Sequence, residues 1–247
     1  MDLDRVIAVR NSKTVYRDGD DCIKVFGDEY GKDEVLSEAF NQSLVEKTGL
    51  NVPKIKSVTL FGEKSAIVSE FVKGKTLDRL MTEHPENKLG YIEKLVDIQI
   101  EVQAKSCPNL KKLKDKITAR IAEADLSEKV KNELLTRLDG MPNHLKLCHG
   151  DFNPSNIIVG DDGKDYIIDW SHAAIGNASA DAAITYLLFC IAEDFGGADY
   201  YLKTFCKKTG TEERYVWQWI PIVAASQSVK GNKFQKEFLL SRLSAID

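Results

Sequence analysis

One segment of the 247 residues concentrates reactive side chains: Cys148-His149-Gly150-Asp151-Phe152-Asn153-Pro154-Ser155-Asn156. A strand pattern follows, then the turn Asp161-Asp162-Gly163, then a second strand pattern ending in Asp169-Trp170. Two carboxylates and an amide therefore lie on loops flanked by a hairpin. They are hard oxygen donors of the kind Mg²⁺ takes, and a carboxylate can also orient an incoming hydroxyl. This set fits phosphoryl transfer, whose loose transition state asks for positioning and charge neutralisation more than for a strong base. Asp151 would orient the hydroxyl, and Asn156 and Asp169 would hold metal. Asp, Asn, Gly and Pro also favour turns for local reasons, so a loop with no chemistry is the competing account. Four positions in fixed order with a hairpin between them favour the chemical one.

The spacing from Asp151 to Asn156 equals the Asp-to-Asn spacing of the kinase catalytic loop. Such chemistry also needs a strand lysine on the donor's α and β phosphates and a helix glutamate to hold it. Lys24, a charge among apolar neighbours in Ile23-Lys24-Val25-Phe26, is the lysine the sequence offers, although a lone strand lysine is commonly a solvated edge residue. Glu38, fourteen residues on, is the favoured partner because it neighbours Ala39 and Phe40, expected to be buried; Glu34 and Glu46 share its helix.

The elements that must position these residues follow from patterning. Residues 5–26 alternate as short apolar runs around polar turns, which predicts three antiparallel strands. From Glu29 to Thr48, Val35, Leu36, Ala39, Phe40, Leu44 and Val45 recur at helical spacing, and Gly49 stands at the C-terminal cap. Two further strands are expected at about 54–61 and 64–70, completing five strands and one helix. Residues 76–139 read as three or four helices punctuated at Pro85, Pro108 and Asp125-Leu126-Ser127. Strands return near 145–148, 157–159 and 166–168. Helices fill the rest from about Ser179, with breaks at Gly196-Gly197 and Gly210, and with Trp217, Ile220, Val223 and Ala224 on one face.

His149-Gly-Asp-Phe-Asn-Pro-Ser-Asn156, then Ile167-Ile-Asp-Trp170, then Asp181, resemble the aminoglycoside phosphotransferase and choline kinase families over nearly the whole chain. The resemblance implies an α+β, two-lobed protein-kinase-like fold: a nucleotide-binding lobe over residues 1–72 and a mainly helical lobe over 73–247. It implies Asp151 as catalytic base, Asn156 and Asp169 as Mg²⁺ ligands, Lys24 and Glu38 as the phosphate-anchoring pair, and His149 and Asp181 as braces of the catalytic loop. ATP or GTP would be the donor. Backbone groups of Ser69-Glu70-Phe71-Val72 would meet the adenine edge, with Glu70 and Val72 as the positions named. The Gly-x-Gly-x-x-Gly loop of protein kinases is absent; Asn11-Ser12-Lys13-Thr14 stands in its place. Ser12, Lys13 and Thr14 are candidates for covering the phosphates, and equally read as a solvated polar turn. Metal ligation by His149 is disfavoured, since His144 lies five residues before it and the spacing suits no helical zinc site.

The acceptor end is less defined. Glu193, Asp194, Asp199, Glu212 and Glu213, with Tyr200, Tyr201, Trp217 and Trp219, could line a pocket for a cationic amine. The same residues fit a charged surface over an aromatic core, which is the preferred reading. The acceptor is expected to be a small hydroxyl compound such as an aminoglycoside, amino alcohol or sugar. A protein kinase is disfavoured by the step of only twelve positions from Asp169 to Asp181, too short for an activation segment. A silent nucleotide-binding regulatory module is disfavoured by intact Lys24, Asp151, Asn156 and Asp169.

Composition agrees with an ordinary globular protein: 43% hydrophobic, 29% charged, and a net charge of -4 with no basic footprint for nucleic acid. Five widely spaced cysteines without a Cys-x-x-Cys pair point to a reducing cytoplasm. No secretory signal is visible, and the longest apolar stretch, Ala182 to Ala192, is too short to span a bilayer and reads as a buried helix.

Overall fold

The computed structural model describes residues 5–10 and 13–244. The first three strands, β1 (Arg5–Arg10), β2 (Lys13–Asp18) and β3 (Asp21–Phe26), form an antiparallel meander. Helix α1 (Lys32–Val45) follows, extended by a 3-10 turn over Glu46–Thr48 and closed by Gly49 in the left-handed region. Strands β4 (Ile55–Phe61) and β5 (Lys64–Glu70) complete a five-stranded sheet of order β1-β2-β3-β5-β4.

Alternation along β3 decides which side chains meet the helix. Phe26 packs with Val35 and Ala39 of α1 and with Ile67 of β5, whereas Ile23, Val25 and Ala66 form a separate cluster. Burying Phe26 or Val35 in this way contributes about 1.5–3 kcal/mol each. Successive strand residues point to opposite faces, so Lys24 shares the face of Phe26 and aims at α1. Lys13, the register partner of Phe26, lies on that face too. Leu36 and Phe40, expected inside, are 47% and 57% exposed. Each is one residue past the buried Val35 and Ala39, so each is rotated about 100° away from the stripe that meets the sheet.

After β5 come β6 (Gly74–Thr76), α2 (Leu77–Glu83), α3 (Lys88–Gln103), α4 (Leu113–Glu123) and α5 (Glu128–Gly140). Then follow β7 (Lys146–Cys148), β8 (Ile157–Gly160), β9 (Asp165–Ile167) and β10 (Ala174–Gly176). The chain ends in α6 (Ala178–Ile191), α7 (Phe195–Thr209), α8 (Glu213–Gln227) and α9 (Lys233–Ser241). Strands β6 and β10, three residues each, carry too little pattern to read from sequence; they pair with β8 and β7 respectively.

By compactness the chain forms two units: residues 1–83 with 154–172, and residues 84–153 with 173–247. The first holds the five-stranded sheet, α1, α2 and the sheet β6-β8-β9. The second holds α3–α9 and the β7-β10 pair, with α6 almost wholly buried at its centre. Gly196-Gly197 does not break this region but opens α7, because the Asp194 carboxylate caps the helix by accepting the Gly197 N–H at 3.0 Å. In α8 the buried stripe runs through Val216, Trp219, Ile220 and Val223. Trp217, expected on that face, is 44% exposed and packs edge-on against Tyr186 at its rim. Among the described residues no helix is long and apolar enough to cross a membrane.

Candidate active site

In the first unit, β3 and α1 bring Lys24 Nζ to 2.5 Å from Glu38 Oε1, as the shared face requires. The other Glu38 oxygen takes Lys13 Nζ at 3.2 Å, so one buried carboxylate, 6% exposed, serves two ammonium groups. Lys13 also lies over the rings of Phe26 and Tyr30, at 4.9 and 4.7 Å. The other two acids of α1 are committed to backbone: Glu34 accepts the Gly31 N–H and Glu46 the Ile55 N–H.

The hairpin positions the next two residues. Ile157 and Ile167 are register partners, and the Ile168 N–H donates to the Asn156 carbonyl at 3.0 Å. Asn156 thus ends the turn before β8 while Asp169 stands one residue beyond the ladder. Asn156 is 1% exposed. Asp169 sits at φ 63°, a region costly for a non-glycine residue and held here by the buried Trp170, whose indole N–H bonds the Ile167 carbonyl. Asp169 Oδ1 is 3.3 Å from Lys24 Nζ. Burial alone would lower the Lys24 pKa, but Asp169 and then Glu38 outweigh it and the value is raised, so Lys24 is a fixed cation.

In the second unit, the loop after β7 is braced from α6. Asp181, in the first turn of α6 and fully buried, accepts the Gly150 N–H at 2.8 Å on one oxygen and Gln99 Nε2 at 3.2 Å on the other. Gln99 in turn accepts the Tyr201 hydroxyl on its oxygen, which fixes the amide's orientation. The positive end of the α6 dipole favours the Asp181 charge. Gly150 has φ 78°, which glycine adopts without strain. The Asp151 N–H donates to His149 Nδ1 at 3.3 Å, and the buried imidazole meets Phe152 edge-on. That bond requires the His149 proton on Nε2. Asn153 Nδ2 donates to the Asp151 carbonyl at 2.9 Å.

Other positions singled out from sequence fall as follows. Ser12 lies outside the described residues, and Thr14 is held within β2, paired with Val9 and Val25. The Glu70 N–H is committed to the Lys54 carbonyl and the Phe71 N–H to that of Asp20, each at 2.9 Å; Val72 follows the strand, half-buried. Of the acidic and aromatic set, Asp194 pairs with Lys88, Glu212 with Arg214, and the Tyr200 hydroxyl with Glu93. Tyr201 and Trp219 are core residues.

Sequence reasoning passed over the basic residues of α4. Lys116 and Arg120, one turn apart, flank the buried ridge of Leu113, Ile117 and Ile121, and Arg120 feels the charges of Glu123 and Asp151. Their recurrence every four residues beside an apolar stripe was the available signal.

The chain is similar to solved structures along nearly its whole length. The aminoglycoside phosphotransferase APH(4)-Ia superposes with TM-score 0.73 at 16% identity, covering 99% of this chain and 92% of that one. The choline kinase LicA from Streptococcus pneumoniae gives 0.65 at 16%, over 99% and 92%. A choline/ethanolamine kinase family protein from Mesorhizobium loti gives 0.64 at 14%, over 98% and 87%. APH(4)-Ia has been crystallised with ADP and hygromycin B. At these identities the likeness shows the fold. No curated protein matches the sequence. The phosphotransferase enzyme family model, however, matches residues 7–217. With that span of sequence and this fold in agreement, the chain belongs to the phosphotransferase enzyme family.

Proposed function

We propose that the protein transfers the γ-phosphate of ATP or GTP to a hydroxyl of a small molecule, with residues 1–72 as the nucleotide-binding lobe and 73–247 carrying the catalytic loop and acceptor site. The observation that carries this reading is the Lys24–Glu38–Asp169 constellation, in which a permanently charged lysine is held between two carboxylates. Lys24 binds the α and β phosphates, with Lys13, Ser12 and Thr14 supplying further contacts and the backbone at Glu70 and Val72 meeting the base. A donor phosphate would compete for the two ammonium groups that Glu38 now holds.

Asn156 and Asp169 offer an amide and a carboxylate oxygen on either side of one backbone hydrogen bond, a hard-donor pair suited to Mg²⁺ and unsuited to soft metals. No group of three or more His, Cys, Asp or Glu residues suited to a metal occurs among the described residues. An ion bound by few protein ligands keeps sites for phosphate oxygens, as Mg²⁺ does in such enzymes. When bound, Mg²⁺ would neutralise charge on the β and γ phosphates.

Asp151 orients the acceptor hydroxyl and takes its proton. The hydroxyl oxygen forms the new bond to the γ-phosphorus, the bond to the β–γ bridging oxygen breaks, and the nucleoside diphosphate leaves with that electron pair. His149 and Asp181 keep the loop in register. The reading places the protein in the cytoplasm. Replacing Asp151 with Asn tests the assignment: transfer should fall by about 10²-fold or more while nucleotide affinity stays within about twofold. Undiminished transfer would remove Asp151 from the role.

A further inference from the structure

In the second unit a cavity of about 580 Å³ opens where the chain enters α6, walled by the start of β7, the first turn of α6 and the start of α8. That volume falls within the range of small-molecule sites. None of the residues given a part in phosphate transfer lines it. Lys146 stands on its wall, and β7 carries the chain from there to His149, about 10 Å along the strand.

The wall is richer in hydrogen-bond donors than in acceptors. Asn177, the buried N-cap of α6, donates from Nδ2 to the Tyr215 hydroxyl oxygen at 2.7 Å and to the Pro142 carbonyl at 3.3 Å, while its Oδ1 accepts the Ser179 N–H at 2.9 Å. The two backbone partners fix which end of the amide is nitrogen. An amide nitrogen only donates, so Tyr215 is the acceptor in that bond and its own proton is left to another partner. Ser179 lines the cavity and is 4% exposed, yet among the described residues its hydroxyl has no hydrogen-bond partner. Ala178, whose N–H has no partner within the helix, lines it as well. Lys146 has no carboxylate partner among the described residues, and His144 stands with it on the wall. Glu212 is the single acid among the lining residues, and Arg214 holds it. The Asp181 charge, in the same turn of α6, is committed to Gly150 and Gln99 and does not line the cavity.

We propose that this cavity is a second binding site, for a small molecule bearing an oxyanion, a phosphate or a carboxylate, held by the Ser179 and Tyr215 hydroxyls and countered by Lys146. Ser179 and Tyr215 flank one amide, that of Asn177, so their hydroxyls serve the same ligand group. A buried hydroxyl left unpaired costs stability, and an acceptor oxygen of the ligand relieves it. The positive end of the α6 dipole adds to the attraction for an anion. Binding here is separate from the transfer assigned to Asp151, and none of these residues takes part in bond making.

The test is thermal unfolding of the full chain at constant ionic strength, titrated with inorganic phosphate and, separately, succinate, which tell the two oxyanions apart; choline is the cationic counterpart. Each titration is run with and without Mg²⁺ and a saturating non-hydrolysable ATP analogue, so that phosphate entering the donor site is recognised. At least one oxyanion should raise the unfolding temperature saturably, unlike the steady rise that an excluded salt gives, and choline should not. The ATP analogue should leave that response in place. Ser179→Ala and Tyr215→Phe, which change no charge, should each weaken half-saturation by about tenfold. Lys146→Met should weaken it by about threefold, Lys146→Arg should restore it, and Lys203→Met should leave it unchanged. The proposal is overturned if neither oxyanion gives a saturable response, if the ATP analogue abolishes the response, or if Ser179→Ala and Tyr215→Phe respond as the wild type does.

Discussion

Glu38 is the residue whose replacement has the most calculable consequence. Its carboxylate, 6% exposed, holds Lys24 at 2.5 Å and Lys13 at 3.2 Å, and the lysine side chains are themselves only 18% and 17% exposed. Glu38→Gln keeps the volume and removes the charge, leaving two poorly solvated ammonium groups. Breaking a buried pair by deleting one partner costs about 3–5 kcal/mol. Lys24 retains Asp169 at 3.3 Å, and Lys13 retains the faces of Phe26 and Tyr30, so the expected loss is smaller, about 2–3 kcal/mol. For a chain of this length that corresponds to a fall of about 4–12 °C in unfolding temperature. Nucleotide affinity should fall with it, by about tenfold, because Lys24 is no longer held in place. Glu34→Gln is the control, since a glutamine there still accepts the Gly31 N–H. Circular dichroism melts and a fluorescent-nucleotide titration read both effects. An unfolding temperature within about 1 °C of wild type, or equal loss of nucleotide affinity in Glu34→Gln, would refute the reasoning.

Asp181→Asn turns a carboxylate oxygen into an amide donor facing Gln99 Nε2, whose own oxygen is already occupied by Tyr201; it should cost about 1–3 kcal/mol by denaturant titration and lower kcat while leaving nucleotide affinity intact. Asp169→Asn should weaken nucleotide binding in the presence of Mg²⁺ more than in its absence; equal weakening by calorimetry would count against metal ligation. Lys116 is charged in the unfolded chain up to its ordinary pKa of 10.5 but in the folded protein only up to about 7. Between these values the unfolded state binds more protons, so this residue makes stability rise with pH from about 7 upward, and its penalty is fully present below 7. The stability difference between Lys116→Met and wild type should therefore shrink as pH rises from 7 to 9, measured by urea unfolding at each pH, and a pH-independent difference would contradict it.

Much of the positioning frame was legible because it follows from local periodicity. The period-2 pattern of residues 5–26 and 54–70 marked the five strands, and the same alternation put Lys24 on the face of Phe26. What failed did so at the edges of helical stripes. Leu36, Phe40 and Trp217 lie at the margin of an apolar arc, where the contact made by the neighbouring element, not the pattern, decides burial. Strands β6 and β10 are defined by the partners β8 and β7 and have no sequence signal of their own length. The loop residues Asp151, Asn156 and Asp169 stood out by type and spacing. The resemblance named Asp181 as a brace, but the relay behind it, from Tyr201 through Gln99, did not stand out, because it joins residues up to 102 positions apart. The basic face of α4 was overlooked for a different reason: isolated lysines on an amphipathic helix ordinarily face water, and only packing against β10 and α8 turns Lys116 and Arg120 into a half-buried pair.

The central claim is transfer of phosphate to a small hydroxyl compound by way of Asp151. The direct measurement is incubation of the protein with Mg²⁺ and γ-labelled ATP, with GTP in parallel, against separate pools of hydroxy acids, sugar phosphates, sugars, amino alcohols and aminoglycosides, with Asp151→Asn as the blank. The account predicts label in a small-molecule product from one pool, stoichiometric with nucleoside diphosphate and absent from the blank. Label transferred equally by Asp151→Asn, or none transferred in any pool by a protein that binds Mg²⁺-nucleotide, would contradict it.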